Sequence, residues 1–287
     1  MFPLAFVPAH ELMADAERGN YAVGAFNVNN MEILQAIVAA AKEERSPVIL
    51  QASQGAIKYA GINYITALAR VAASEVDVPV ALHLDHGPSF EQAMECIRHG
   101  FSSVMYDGSH LPLEENIAIT RQVVEAAHAV GVSVEGEIGR LVGIEDNIQV
   151  SELEGALTDP DEAKKFVEET GIDMVAVAIG SRHGFYKGEP KLDFDRLEAI
   201  RERVNVPIVL HGGSGIPESH IRRAIELGVR KINIDTELRD VFVRAARGIM
   251  DEKPDEIDPR KILGPAREQM KEKVKEKMRL FGSSGRA

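Results

Sequence analysis

Eight times along the chain, a short run rich in apolar and β-branched residues is followed by a Gly, Ser, Asp or Asn junction and an amphipathic stretch of about 10–18 residues. The runs are Ala22 to Val28, Pro47 to Ser53, Pro79 to His86, Ser102 to Asp107, Val132 to Ile138, Met174 to Ser181, Pro207 to His211 and Lys231 to Asp235. Strands alternating with helical patterns imply parallel βαβ units, and eight such units imply closure. The expected fold is therefore an α/β, (β/α)8 TIM barrel. A barrel of this kind takes about 250 residues. The 287 residues, 45% of them apolar, supply one barrel domain over 1–287, with residues 251–287 as a C-terminal helical extension.

Helix punctuation agrees with this division. Pro88-Ser89 precedes a helix over Phe90 to Arg98, Asp159-Pro160-Asp161 opens one that Gly171 ends, and Pro217-Glu218 opens one that Gly228 ends. Beyond the eighth unit, Glu252 to Arg260 reads as a polar connection and Gln269 to Leu280 as a helix whose Lys271 to Lys277 charge run forms a solvated face. The tail Gly282-Ser283-Ser284-Gly285 is expected to fray.

A net charge of −12 argues against nucleic acid or an anionic membrane as partner, since both select basic surfaces. The single cysteine, Cys96, allows no intrachain disulfide and suits a reducing compartment. Met1 to His10 lacks a basic n-region and cleavage site, and no apolar run approaches the roughly 18 residues of a membrane span. The chain reads as soluble and cytoplasmic.

In this fold, chemistry collects on the loops at the carboxyl ends of the strands. Asp85, His86, Asp107, Glu137, His183, His211, Ser214, Asp235 and Thr236 all fall at or just past such ends. Three imidazoles at equivalent ends, His86, His183 and His211, suit a divalent first-row metal such as Zn2+ with an open coordination position. His10, His83, His99, His110, His128 and His220 lack that placement and read as structural. Gly212-Gly213-Ser214-Gly215 and Asn233-Ile234-Asp235-Thr236 each precede a helix after strands seven and eight, where barrels commonly hold phosphate. Lys187 lies just past His183-Gly184. The segment Arg140 to Thr158 reads as a long loop, and Glu145 on it as a carboxylate carried by a lid.

These residues resemble class II (metal-dependent) fructose-bisphosphate aldolases over nearly the whole chain. The matching segments are Ala25 to Asn30, Leu84-Asp85-His86-Gly87, Val134 to Asp146, Gly180 to Lys187, Leu210 to Gly215 and Asp258-Pro259-Arg260, and Lys187-Gly188-Glu189-Pro190 is similar to the shorter branch of the family. The resemblance implies that His86, His183 and His211 hold a catalytic zinc, that Asp85 moves the proton of the substrate's C4 oxygen, and that Glu145 exchanges the proton on the dihydroxyacetone phosphate carbon. It implies a second metal position, or the metal's surroundings, at Asp107 and Glu137. For the dihydroxyacetone phosphate end it implies Asn27, Ser53, Gly184, Lys187, Gly212, Ser214, Asn233, Asp235 and Thr236. It also implies a monovalent cation (Na+ or K+) near the phosphate loop. Arg260 would reach the far phosphate from a neighbouring subunit, which implies a homo-oligomer, dimer or tetramer. Arg182 and Ile144 depart from the family's pattern.

The resemblance thus implies reversible cleavage of fructose 1,6-bisphosphate, with the same mechanism on tagatose 1,6-bisphosphate or another ketose phosphate as the alternative. Asp235 favours the fructose type. A non-catalytic phosphosugar-binding barrel and a metal-dependent hydrolase are the readings from other classes. A Schiff-base route needs a desolvated lysine at an active strand end. The sequence places Lys231 at the start of strand eight, the opposite end.

Overall fold

The structure, a computed structural model, describes residues 6–145, 148–151, 155–186 and 188–287. Eight parallel strands close into a barrel in the order β1 (Val23–Asn27), β2 (Val48–Ser53), β3 (Val80–Gly87), β4 (Ser103–Tyr106), β5 (Ser133–Ile138), β8 (Met174–Val177), β10 (Ile208–Leu210) and β11 (Val229–Ile234), the last pairing with the first. A separate small sheet joins β6 (Val142–Glu145), β7 (Ile148–Val150) and β9 (Arg182–His183). The helices are α1 (Ala9–Gly19), α2 (Met31–Glu44), α3 (Gln54–Ala60), α4 (Ile62–Ser74), α5 (Phe90–Arg98), α6 (Leu113–His128), α7 (Pro160–Thr170), α8 (Phe194–Arg201), α9 (Glu218–Glu226), α10 (Thr236–Glu252) and α11 (Pro259–Phe281).

Strand side chains alternate between two environments, as a period of two requires. Phe26, Leu50, Leu82, Leu84, Val104, Val134, Val175, Leu210 and Ile232 join the helices in the outer core. Val23, Ala25, Ile49, Ala81, Met174, Ala176 and Val209 form a second cluster with Ala9, Leu12, Met13 and Ala16 of α1. Helix α1 therefore covers the amino-terminal mouth of the barrel. It is tied there by Val7 N donating to Val80 O at 2.9 Å and by His10 N donating to Ser133 Oγ at 3.0 Å.

Above that apolar plug the interior turns polar, with Gln51, His83, Ser103, Glu135 and Lys231 all fully buried. Strand β11 begins at Val229, two residues before the expected start, so Lys231 sits in mid-strand and inside the barrel. Its Nζ donates to Glu135 Oε2 at 2.8 Å. The expectation that Lys231 lies at the strand's start is corrected. Its ion pair removes it as a free amine.

Four further expectations change. The Arg140 to Thr158 segment contains the antiparallel hairpin β6–β7, with Gly143 opposite Val150 and Glu145 opposite Ile148, rather than a continuous loop. Helix α11 starts ten residues before Gln269, because Asp258 caps it by accepting from Arg260 N and Pro259 fits the first turn. Its lysines do not form a free solvated face. Lys271 and Lys275 reach Glu43 on α2, at 2.9 and 2.7 Å, and Lys277 reaches Glu237 on α10 at 2.6 Å.

The tail is anchored rather than frayed. Ser283 is fully buried against Ser46 (Oγ to Oγ, 2.8 Å), while Gly285 N donates to Glu44 O and Ala287 N to Arg45 O.

Candidate metal centre and active site

Consecutive residues on a strand point to opposite faces, so Asp85 and His86 would not ordinarily share a site. At this end of β3 they do. The β3–β4 register shifts between Leu84 and Gly87, and His86 takes φ 47°, left-handed for a non-glycine residue. Such a conformation costs about 1–3 kcal/mol and persists where the surroundings enforce it. The bulge leaves Asp85 pointing inward and swings the His86 ring over the same opening.

His183 arrives by a different route. Past β8 the chain leaves the barrel and forms β9, which pairs with β6 so that Gly143 lies opposite His183. Gly143 has φ 125°, and a Cβ there would sit 2.2 Å from His183 O. Only glycine lets the hairpin approach so closely. His211 directly follows β10 and is fully buried. Gly212, at φ 64°, then turns the chain under the Arg182 carbonyl.

The three rings meet edge to face, with centroids 4.7 Å apart for His86 and His211, 5.1 Å for His86 and His183, and 6.1 Å for His183 and His211. One nitrogen from each lies within 4.8 Å of the others. Two of the rings are oriented by carboxylates. His86 Nδ1 lies 2.8 Å from Asp107 Oδ2, and His211 Nε2 lies 2.8 Å from Glu135 Oε1. The opposite nitrogens, His86 Nε2 and His211 Nδ1, face one another at 3.0 Å. Burial pulls His211 below the ordinary histidine range, which favours the neutral, ligating form. Two imidazoles whose outer nitrogens each meet a carboxylate, with a third ring beside them, fit a divalent metal well.

A second grouping, His86, Asp107 and Glu137, meets the same distance criterion. Glu137 Oε2 lies 3.8 Å from both His86 Nδ1 and His211 Nδ1. Its carbonyl accepts from Asn116 Nδ2 at 2.9 Å. Burial alone would raise the Asp107 carboxyl, but hydrogen bonds from His86 and Ser109 outweigh it and hold Asp107 well below the usual range.

Asp85, fully buried, is held by three amides. Asn27 Nδ2 and Gln51 Nε2 donate to Oδ2 at 2.9 and 3.2 Å, and Asn233 Nδ2 donates to Oδ1 at 3.2 Å. Gln51 also donates to Asn27 Oδ1 at 2.6 Å. The carboxylate is thus fixed beside the histidine cluster, with Oδ1 4.0 Å from His86 Nε2.

At the ends of β10 and β11, Gly213 N donates to Asn233 O, and Ser214 Oγ accepts from Glu237 N in the first turn of α10. Thr236 opens that helix. By charge alone Asp235 would repel an anion, but Arg239 one turn later pairs with it at 2.6 Å. Tyr186 joins this loop to the one carrying His183. Its hydroxyl donates to Gly212 O at 3.0 Å and accepts from Arg182 N at 3.1 Å, and burial pushes its pKa up to about 12.

The cavity over the cluster has a volume of about 240 Å3 and is lined by His86, Asp107, Glu137 and His183 together with Pro88, Ser109, His110, Arg140, Leu141 and Gly143. Among the described residues no helix is long and apolar enough to cross a membrane.

The family model for "Fructose-bisphosphate aldolase class-II" matches residues 7–286. The chain belongs to the class-II fructose-bisphosphate aldolase family. It is 51% identical over 290 residues to the fructose-bisphosphate aldolase of Geobacillus stearothermophilus, covering 99% of each chain. It is 49% identical over 300 residues to that of Thermus caldophilus, covering 96% of this chain and 98% of the other. Among solved structures, a putative fructose-1,6-biphosphate aldolase from Coccidioides immitis superposes with a TM-score of 0.89 at 34% identity, covering 96% of each chain.

Members of this aldolase family are metal-dependent, and the structure brings together most of the residues singled out from sequence. Ser53 ends β2 and caps α3 by accepting from Ala56 N, and Gly184 turns the chain past His183 at φ 84°. Arg260 is 88% exposed at the start of α11, where it pairs with Asp258 at 2.8 Å. Lys187 and the side chain of Glu145 lie outside the described residues.

Sequence reasoning missed Gln51, Glu135 and Tyr186, and read His110 as structural although it lines the cavity. For Gln51 and Glu135 a signal existed. Both are polar residues inside apolar strands, on the same alternation as Asp85 and Glu137.

Proposed function

We propose that this protein reversibly cleaves fructose 1,6-bisphosphate to dihydroxyacetone phosphate and glyceraldehyde 3-phosphate, using zinc held by His86, His183 and His211. One observation carries the reading: three imidazole nitrogens converge within 4.8 Å beside a buried aspartate that three amides fix in place. The names of the family and of relatives about half identical to this chain support the substrate.

Zinc, when bound, supplies a Lewis acid that stabilises negative charge developing on the ketose oxygens. Asp85 takes the proton of the C4 hydroxyl as the C3–C4 bond breaks. The C4–O electrons form the aldehyde carbonyl, and the bonding pair stays with the three-carbon fragment. Glu145 delivers a proton to C3, completing dihydroxyacetone phosphate. Asn27, Gln51 and Asn233 keep Asp85 aimed, and the carbonyl end of the site excludes bulk water through the burial of His211 and Asp85.

The phosphate of the three-carbon unit is assigned to Gly184, Lys187, Gly212, Ser214, Asp235 and Thr236, supported by the backbone N–H groups that open α10. Ser53 completes that end of the site. A monovalent cation, Na+ or K+, beside this loop belongs to the same reading. So does a homo-oligomer in which Arg260, exposed on its own subunit, reaches a neighbouring site. The same reading gives Asp107 and Glu137 to a second metal position or to the surroundings of the first. A cytoplasmic protein belongs to the same reading.

The test is aldol cleavage of fructose 1,6-bisphosphate and tagatose 1,6-bisphosphate after chelation and after zinc restoration. Zinc-rescued activity with the larger kcat/KM on fructose 1,6-bisphosphate is expected. Activity that survives full metal removal overturns the metal role, and a preference for tagatose 1,6-bisphosphate overturns the substrate.

A further inference from the structure

His211 is closed to water on all sides, so its protonation pattern is set by its neighbours inside the barrel. Its Nε2 lies 2.8 Å from Glu135 Oε1, and the other oxygen of that carboxylate accepts from Lys231 Nζ at 2.8 Å. All three residues are fully buried. We propose that Glu135 and Lys231 are positioning residues for the metal site: a buried ion pair that fixes which nitrogen of His211 is offered to the metal.

An ionised carboxylate can only accept. Facing one, Nε2 must carry the ring proton, and Nδ1 keeps its lone pair. Nδ1 is the nitrogen that points at His86 Nε2, 3.0 Å away. Lys231 Nζ, 2.8 Å from Oε2, supplies the opposite charge that a buried carboxylate needs.

Lys231 also fixes geometry. By occupying Oε2 it orients the carboxylate so that Oε1 meets His211. The other imidazole nearby, His83, is not a substitute cation, since burial holds it neutral and its Nδ1 lies 2.8 Å from Ser103 Oγ. A buried ion pair this deep has little net stability to offer, because desolvation offsets most of the attraction. Its placement against a metal-facing imidazole gives it a different use.

This inference rests on the metal reading of the three histidines. Zinc affinity is measured by chelator competition on the full-length protein and three variants. Glu135→Leu/Lys231→Met removes the pair without leaving an unpaired charge. Phe166→Leu thins the outer core against Gly136 and Ile172 and leaves the interior row untouched.

The double variant is expected to bind zinc about 10–100-fold more weakly, the usual cost of losing a histidine's outer partner, while Phe166→Leu stays within about twofold of wild type. Should the double variant fail to fold, Glu135→Gln keeps the volume and removes the charge, and a weaker zinc affinity is again expected. Wild-type affinity in the folded variant that lacks the Glu135 carboxylate, or an equal loss in Phe166→Leu, overturns the proposal. Absence of zinc binding by the wild type overturns the metal reading and this one with it.

Discussion

His86 Nδ1 lies 2.8 Å from Asp107 Oδ2, so the ring that the β3 bulge swings into the cavity is held from behind by a carboxylate one strand away. The consequence is testable at Asp107. Replacing it with alanine removes the acceptor and leaves His86 free to rotate, and zinc affinity falls about 10–100-fold. Chelator competition reads the change directly; unaltered affinity means that Asp107 does not orient the ring.

Asp85 and His211 separate catalysis from metal retention. Asp85→Ala keeps zinc and loses turnover by about a hundred- to ten-thousand-fold, the range for a lost acid–base group. His211→Ala loses zinc as well as turnover. Metal content by elemental analysis alongside steady-state rates distinguishes the two, and full zinc occupancy in His211→Ala removes that residue from the ligand set. Gln51→Met, which takes away one of the amides on Asp85, lowers kcat without lowering zinc content.

Gly143→Ala tests the hairpin. The added Cβ must be accommodated against His183 O at a φ of 125°, a strain of about 1–3 kcal/mol. The hairpin gives way before the barrel does. Activity therefore falls while the melting temperature, measured by calorimetry, changes little; a large drop in Tm with normal activity at low temperature contradicts this.

Acid should loosen the C-terminal segment. Hydrogen bonds from Lys275 and Lys271 lower Glu43, and for Glu44 the bonds from Arg279 and Ser284 outweigh the opposing effect of burial. Both carboxyls are depressed in the folded protein. Their contribution is therefore complete above the ordinary glutamate value of 4.5 and is lost as pH falls through the lower folded values. Hydrogen exchange at the Gly285 and Ala287 amides, corrected for intrinsic rates, is expected to be flat from pH 7 to about 5 and to rise below it. A rise already near neutrality rules this out.

Cys96 is buried, and burial pushes its thiol up to about 12. Thiolate is the reactive form. Ellman's reagent is expected to label it only on unfolding, so that labelling tracks loss of circular dichroism.

The eight strands and the chemistry at their ends were legible because two periodicities coincide there: apolar runs of strand length, and polar residues just past them. Asp85, His86, Asp107, Glu137, His183 and His211 all declare themselves in this way. What pattern could not carry is the bulge at His86, since a one-residue register shift leaves no mark on composition. Lys231 was misplaced because strand β11 begins with Val229-Arg230, and the buried Arg230 is held by Glu17 and Asn20. A charged residue beside another charged residue reads as a strand boundary. The anchored tail escaped notice for a related reason. Gly282 to Gly285 has the composition of a loose end, and its order comes from Ser46 and Glu44, more than two hundred residues away.

Helix α11 lies along α2, its carboxyl end reaches Ala22 through Phe281 O, and β11 supplies the second edge of β1. Segments made early thus depend on segments made more than two hundred residues later. While translation proceeds, β1 has an open edge and α2 an uncovered apolar side, both of which invite association with other chains. Until β11 has been made the sheet cannot close, and the arrival of α11 on α2 ends that exposure.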